Sequence, residues 1–154
     1  MGLDMYLKAT KYVSGWEFSD TEDKADYSKL LELFGLQRCD ESPGAEVSIT
    51  IAYWRKANHI HKWFVDNCQD GDDRCQESYV SREQLQELIG ICKQVLSQEK
   101  VASDLLPTAS GFFFGSTDYD EYYLRDTQNT VDMLESILSN ESLESFDFNY
   151  HASW

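Results

Sequence analysis

Alternation of apolar and polar residues predicts three strands of a small sheet. Leucine and methionine occupy every second position near residues 3–9, and β-branched residues alternate with polar ones at 46–51. A third alternating segment lies at 145–150. Because successive side chains of a strand point to opposite faces, each segment has one face for the core and one for solvent.

Helical periodicity predicts three longer helices. Near 52–67, 82–98 and 118–139, apolar residues recur at intervals of three and four. Ser81 opens the second helix with a capping box, and Thr117 is the expected N-cap of the third. Each of these helices therefore has one apolar face to bury.

These elements predict an α+β fold in one domain that covers residues 1–154, with a small, mostly antiparallel sheet covered by about three to four helices. A weaker helical repeat lies at 27–36, after an acidic segment at 17–26 that is expected to be a loop. Three consecutive phenylalanines between Gly111 and Gly115 predict either a short buried strand or a loop that walls a pocket.

The overall charge narrows the range of partners. The chain carries a formal net charge of −15, which disfavours direct binding to nucleic acid or to anionic membranes. It allows docking on a basic protein. The sequence shows no apolar run near the roughly 20 residues that span a bilayer and no signal-peptide pattern, which predicts a cytoplasmic protein. A homo-oligomer is compatible with the sequence.

No cofactor, metal or catalytic residue is predicted. The four cysteines form no CxxC pair and match no zinc spacing. His59 and His61 are two residues apart, so on a helix they point about 200° apart and cannot chelate one metal ion. The sequence contains no serine elbow, P-loop or GxGxxG motif.

A basic segment at residues 47–64 stands out in this acidic chain. It contains Arg55, Lys56 and Lys62 and no acidic residue. If a helix starts at residue 52, directly after a strand, then its exposed N–H groups and its dipole favour an anion there. The basic segment therefore predicts either a site for an anionic ligand or an ordinary amphipathic helix whose cations pair with the surplus acids.

Within this hypothesis, Arg55, Lys56, His59 and Lys62 would hold a phosphate, Asn58 would contact a polar edge, and Trp54 or Trp63 would stack on a flat ring. Aromatic residues between 112 and 123 could form the base of the pocket, or they could simply cover a small sheet. The candidate ligand-binding residues are Trp54, Arg55, Lys56, Asn58, His59, His61, Lys62, Trp63, Phe113, Tyr119 and Tyr123.

Several motifs resemble those of a family of small proteins of uncertain function that occurs in bacteriophages and some bacteria. They include GLDMYL at residues 2–7, AYWRKAN at 52–58 with IH and WF after it, GFFFGST at 111–117, and YDE at 119–121. The resemblance spans the chain and implies a compact phage-type accessory protein. Such proteins often counter host defence, some by sequestering nucleotide second messengers and others as acidic decoys.

Three functional hypotheses follow. The first is non-enzymatic binding of a small anionic, nucleotide-like ligand, as a counter-defence sponge. The second is an acidic inhibitor or nucleic-acid mimic that docks on a basic host protein through the carboxylates of 20–26 and 118–135. The third is a small enzyme that acts on a nucleotide.

Overall fold

The computed structural model describes residues 2–154 and has an α+β fold, 45% helical and 22% strand. Within these residues, a four-stranded antiparallel sheet of order β2–β1–β4–β3 accompanies five α-helices. The predicted class and sheet are confirmed, and the helix count is slightly higher than predicted. The elements run β1 Asp4–Ser14, α1 Thr21–Phe34, β2 Gly44–Arg55, α2 Asn58–Cys68, β3 Ser78–Val80, α3 Arg82–Ser97, α4 Ala102–Leu105, α5 Glu121–Leu138 and β4 Asp147–Ser153.

Two compact units make up the chain. The first comprises residues 1–9 with 50–154, and the second comprises residues 10–49. The first unit contains the main hydrophobic core, to which alternate residues of the sheet and the inner faces of α2, α3 and α5 contribute. The second unit contains α1 and buries few large side chains, chiefly Val13 and Tyr27.

The predicted helix near 52–67 is wrong at its start. Residues 52–55 belong to β2, and α2 begins only at Asn58. Alternation continues to the end of β2, where Ala52 and Trp54 are buried while Tyr53 and Arg55 are exposed. Burial of alternate residues on one face of a sheet, and not the helical period of the whole stretch, therefore decides the structure of residues 52–55.

The predicted start of α5 also needs correction. Its N-cap is Asp120, whose carboxylate accepts from the backbone N–H groups of Tyr122 and Tyr123, and Thr117 lies outside the helix. By contrast, the predicted α3 is confirmed, including the reciprocal capping box between Ser81 and Gln84.

In the second unit, α1 starts six residues before the predicted repeat. Asp20 accepts from the backbone N–H of Asp23, and two acidic residues in the first turn complement the helix dipole. The acidic segment at 17–26 is therefore largely helical and not a loop. The three-residue strand β3, which pairs antiparallel with β4, was not predicted because it is too short to show a period.

Candidate functional site

A cleft of 270 Å³ opens in the first unit, between the β2–α2 junction, the loop before α5 and the first turns of α5. Five of the eleven candidate residues line it, namely Arg55, Lys56, Asn58, His59 and Tyr123. Its charged lining consists of three cations and three carboxylates. These are Arg55, Lys56 and Arg125, with Asp118, Asp120 and Asp126.

Lys56 links β2 to α2 at one wall of the cleft. Its backbone is left-handed, with φ of 59°, and its N–H donates to the carbonyl of Leu3 at 2.8 Å. The Lys56 side chain is exposed and has no carboxylate within 4 Å among residues 2–154. A cation without an ion-pair partner, held by an unfavourable backbone conformation, is available to a ligand.

Asn58 supports the cleft from within the protein. Its Nδ2 group donates to the carbonyls of Phe114 and Ser116 at 3.2 and 2.8 Å, and its Oδ1 accepts from the N–H of Ala109 at 3.1 Å. The residue is 1% exposed. The predicted contact of Asn58 with a ligand edge is therefore replaced by a different role, since the side chain uses its amide to shape the loop from 109 to 116.

His59 is a buried neutral histidine at the base of the cleft. Burial lowers its pKa to about 3. The Thr127 hydroxyl donates to the carbonyl of Tyr123 at 2.8 Å, so the His59 Nε2–H donates to Thr127 Oγ1 at 3.2 Å. A neutral imidazole cannot hold a phosphate by charge, which corrects the role predicted for His59.

Tyr123 packs its ring against His59, with 4.2 Å between ring centroids. Its hydroxyl donates to the carbonyl of Leu106 at 2.9 Å, and burial raises its pKa. Only a small part of the ring reaches solvent, since the residue is 4% exposed. Tyr123 therefore forms part of the cleft wall, and its hydrogen bond and ring contact fix its position there.

Arginines stand on both sides of the cleft. Arg125 lies over the Tyr122 ring at 4.8 Å from its centroid, and Arg55 extends from the end of β2. Each has one distant carboxylate, with 3.9 Å from Arg55 Nε to Asp4 Oδ1 and the same from Arg125 Nε to Asp126 Oδ1. Ion pairs this long and exposed contribute little, so both guanidinium groups can turn to a ligand.

The carboxylates of the cleft are less available than the cations. Asp120 is occupied as the N-cap of α5, and Asp118 accepts from the Ser116 hydroxyl at 3.0 Å. Burial raises the pKa of Asp126, which favours its protonated form more than in water. The lining therefore has no formal net charge, but its carboxylates are more engaged within the chain than its cations.

A second cleft of 440 Å³ adjoins the first. The two share Arg55, Arg125 and Asp126, and the second also has Asn129 and Asp132 in its lining. Trp54 borders this second cleft, but its indole is 4% exposed and its Nε1 donates to Thr130 Oγ1 at 2.9 Å.

The remaining residues of the basic segment do not line the cleft. His61 is 1% exposed, with Nδ1 at 2.8 Å from the Tyr150 hydroxyl and Nε2 at 2.9 Å from Asp73 Oδ2. Trp63 packs in the core, and Lys62 pairs with Asp66 at 2.7 Å one turn along α2. Seven of the eleven residues of α2 are buried, including His61 and Trp63, so most sides of this helix face the protein interior.

Phe113 and Tyr119 lie outside the lining as well. Phe113 has a left-handed backbone with φ of 70°, and its carbonyl accepts from the N–H of Leu3 at 3.4 Å. The Tyr119 hydroxyl accepts from the N–H of Thr108 at 3.4 Å. The Phe112–Phe114 stretch is a loop rather than a buried strand, and Phe112 and Phe113 are exposed at its tip.

Apart from Tyr123, sequence reasoning missed the α5 side of the cleft. Arg125 is the only cation of the acidic stretch from Gly111 onward, which is the signal that could have singled it out. The carboxylates proposed for docking on a basic host protein are partly engaged within the chain. Asp20 and Asp120 cap helices, and Glu135 pairs with Lys93.

The chain matches no protein-family model, no curated protein and no solved structure. Among residues 2–154, no helix is both long enough and apolar enough to cross a membrane. In the same part of the chain, no three His, Cys, Asp or Glu side chains converge as a metal site would require.

Proposed function

We propose that the cleft binds a small ligand that carries an anionic group together with hydroxyl or amino groups, as a nucleotide does. The observation that carries this proposal is the position of Lys56, a cation with no ion-pair partner among residues 2–154, held in a left-handed backbone at the cleft wall. Arg55 and Arg125 add two guanidinium groups from different elements, in a chain with a net charge of −15.

The start of α2 supports the same proposal. Asn58 and His59 are its first two residues and both line the cleft, so the positive end of the helix dipole lies at this wall. Helix N-termini favour anions through their free N–H groups. Lys56 supplies one full charge at this wall, and the helix start adds its dipole, since the N–H of Asn58 already donates to the carbonyl of Lys56 at 2.9 Å.

The carboxylates narrow the class of ligand. Asp118 and Asp126 line the same cleft as the three cations, so a simple polyanion would meet repulsion there. A ligand with an anionic end and a hydroxylated or amino-bearing body satisfies both sets of groups. The Tyr122 ring is 65% exposed beside them and offers a face for a flat ring.

Thermal unfolding with added ligands tests this directly. The probes are AMP, ADP and cyclic AMP, with adenosine and inorganic phosphate as the two halves of the ligand. A nucleotide at about 100 times its Kd stabilises the protein by about 2.7 kcal/mol. We expect at least one nucleotide to do so while adenosine and phosphate act weakly. If no nucleotide raises the melting temperature, the proposal fails.

Substitutions locate the site. Lys56→Gln and Arg125→Gln remove a charge at similar length, and each is expected to weaken binding about ten- to a hundredfold. The control is Lys100→Gln, which removes a charge outside the cleft lining. Equal affinity in all three variants would show that binding occurs elsewhere.

Sequestration requires that the ligand stays intact. A sponge would bind its ligand without turnover, whereas a nucleotide-acting enzyme would convert its ligand. Chromatography of the nucleotide after incubation separates the two. Product that forms with the parent protein and disappears with Arg125→Gln would favour the enzyme.

A further inference from the structure

The second unit exposes large apolar side chains that it does not bury on its own. Leu33, Phe34 and Leu36 are 74%, 68% and 62% exposed at the C-terminal end of α1. Solvent-exposed apolar residues are ordinary when scattered, but these three are consecutive apart from Gly35. They form an apolar patch at the end of α1.

A cavity of 290 Å³ lies beside this patch, within the same unit. Its apolar lining comes from Tyr27, Leu30, Leu31, Phe34 and Leu36. A cavity of this size accommodates one large side chain of a partner, which is how buried anchors dock at protein interfaces.

The patch is held in place by the end of the helix. Gly35 adopts a left-handed backbone with φ of 63°, and the N–H of Leu36 donates a hydrogen bond to the carbonyl of Leu31 at 2.8 Å. This cap fixes Leu36 beside Leu31, so both line the cavity. A preformed apolar surface loses less conformational entropy on binding than a flexible one.

The net negative charge of the second unit favours a basic partner. Residues 10–49 carry nine acidic and four basic side chains. Glu46 lines the cavity, and Glu32 lies on α1; among residues 2–154 neither has a cation within 4 Å. A second copy of this chain would bring the same negative charge, whereas a basic partner would pair with these carboxylates.

We infer that the C-terminal end of α1 and its cavity form a docking surface for a basic amphipathic helix of another protein. An apolar anchor of that helix enters the cavity, and its lysine or arginine residues meet Glu46 at the cavity and other carboxylates of the acidic second unit. Helix-in-groove recognition uses this combination of an apolar face and a charged rim. The surface is independent of the proposed ligand cleft, since the two share no lining residue.

A pair of synthetic helices tests the inference with the full chain. One helix of about 18 residues has a leucine face and lysines elsewhere, and the other replaces every lysine by glutamate. Binding is followed by fluorescence anisotropy of the labelled helix at low and high salt. We expect the lysine helix to bind, the glutamate helix not to bind, and added salt to weaken the complex.

Matched substitutions separate docking from general attraction to an acidic protein. Phe34→Ser removes an exposed ring at the cavity and is expected to weaken the lysine helix at least about tenfold. Phe112→Ser removes a ring that is 81% exposed outside the second unit and serves as the control. If the two variants bind equally, or if the parent binds neither helix, the inference is overturned.

Light scattering of the free protein tests whether a second copy of the chain occupies the surface. A monomer at micromolar concentration is expected. A dimer that Phe34→Ser dissociates would instead assign the surface to a second copy and overturn the choice of a basic partner.

Discussion

Lys56 and Gly115 pack against each other at the wall of the cleft, and both have left-handed backbones. A Cβ on Gly115 would lie 3.2 Å from Lys56 Cβ and 3.3 Å from the Lys56 carbonyl oxygen, and the φ of Gly115 is 95°. Only glycine fits this position without strain. The glycine that follows the three phenylalanines therefore determines how closely their loop approaches the unpaired lysine.

Gly115→Ala is expected to lower the free energy of unfolding by about 1–3 kcal/mol, because the added methyl meets backbone as well as side chain and the φ is unfavourable. Urea denaturation measures it. Gly90→Ala is the control, since it lies inside α3 with nothing within 4 Å of the added Cβ. That change should stabilise the protein by about 0.5–1 kcal/mol. Equal effects of the two would contradict the packing argument.

Asn58→Ala is expected to cost at least about 3 kcal/mol, because two carbonyls and one N–H lose their hydrogen-bond partner in the interior. Hydrogen exchange should also show loss of protection at Ala109. The control is Asn67→Ala, whose side chain is exposed and makes one bond, to the carbonyl of Trp63. A loss of about 1 kcal/mol or less is expected there, and a similar loss for Asn58 would refute its role as an anchor.

His59 makes stability depend on pH. Its pKa is about 3 in the folded protein against 6.5 for an exposed histidine, so the unfolded chain binds the extra proton first as pH falls. The stability that the folded protein has with a neutral His59 is therefore complete above pH 6.5, and it declines continuously as the pH falls towards 3. By pH 5.5 the loss should be about 1–2 kcal/mol. Urea denaturation at about pH 7.5 and about pH 5.5, one unit on either side of the unfolded pKa, measures this loss in the free energy of unfolding.

His59→Gln provides the comparison for that measurement. Glutamine keeps a donor for Thr127 but does not titrate. The variant should therefore be less sensitive to this change of pH than the parent. If both proteins lose the same stability, the imidazole is not buried and neutral as described.

Lys11→Met tests the second unit. The Lys11 ammonium lies 3.8, 3.8 and 3.4 Å from carboxylates of Glu22, Asp23 and Asp26, with 11% of its side chain exposed. Its removal leaves three carboxylates without their common cation and should cost about 1–3 kcal/mol. Hydrogen exchange of the α1 amides reads out the effect locally. The comparison is Lys29→Met. The Lys29 side chain is 74% exposed, so its removal should lower the free energy of unfolding by about 1 kcal/mol at most.

The sequence by itself determined the α+β class, most strands, α3 with its capping box, and the presence of a basic segment. Periodic burial and capping act over a few residues, so their pattern is visible in the chain. The sequence also identified Arg55 and Lys56 as candidate cations, and both line the cleft.

Tertiary structure decided which face each residue of the basic segment presents. Apolar periodicity predicted a helix from residue 52, but burial of Ala52 and Trp54 on one face of β2 extended the strand to Arg55. The left-handed Lys56 then set the start of α2, and His61 and Trp63 turned inward. Only the fold could bring Arg125, which lies 70 residues after Arg55, to the same cleft, because contacts between distant segments leave no local period in a sequence.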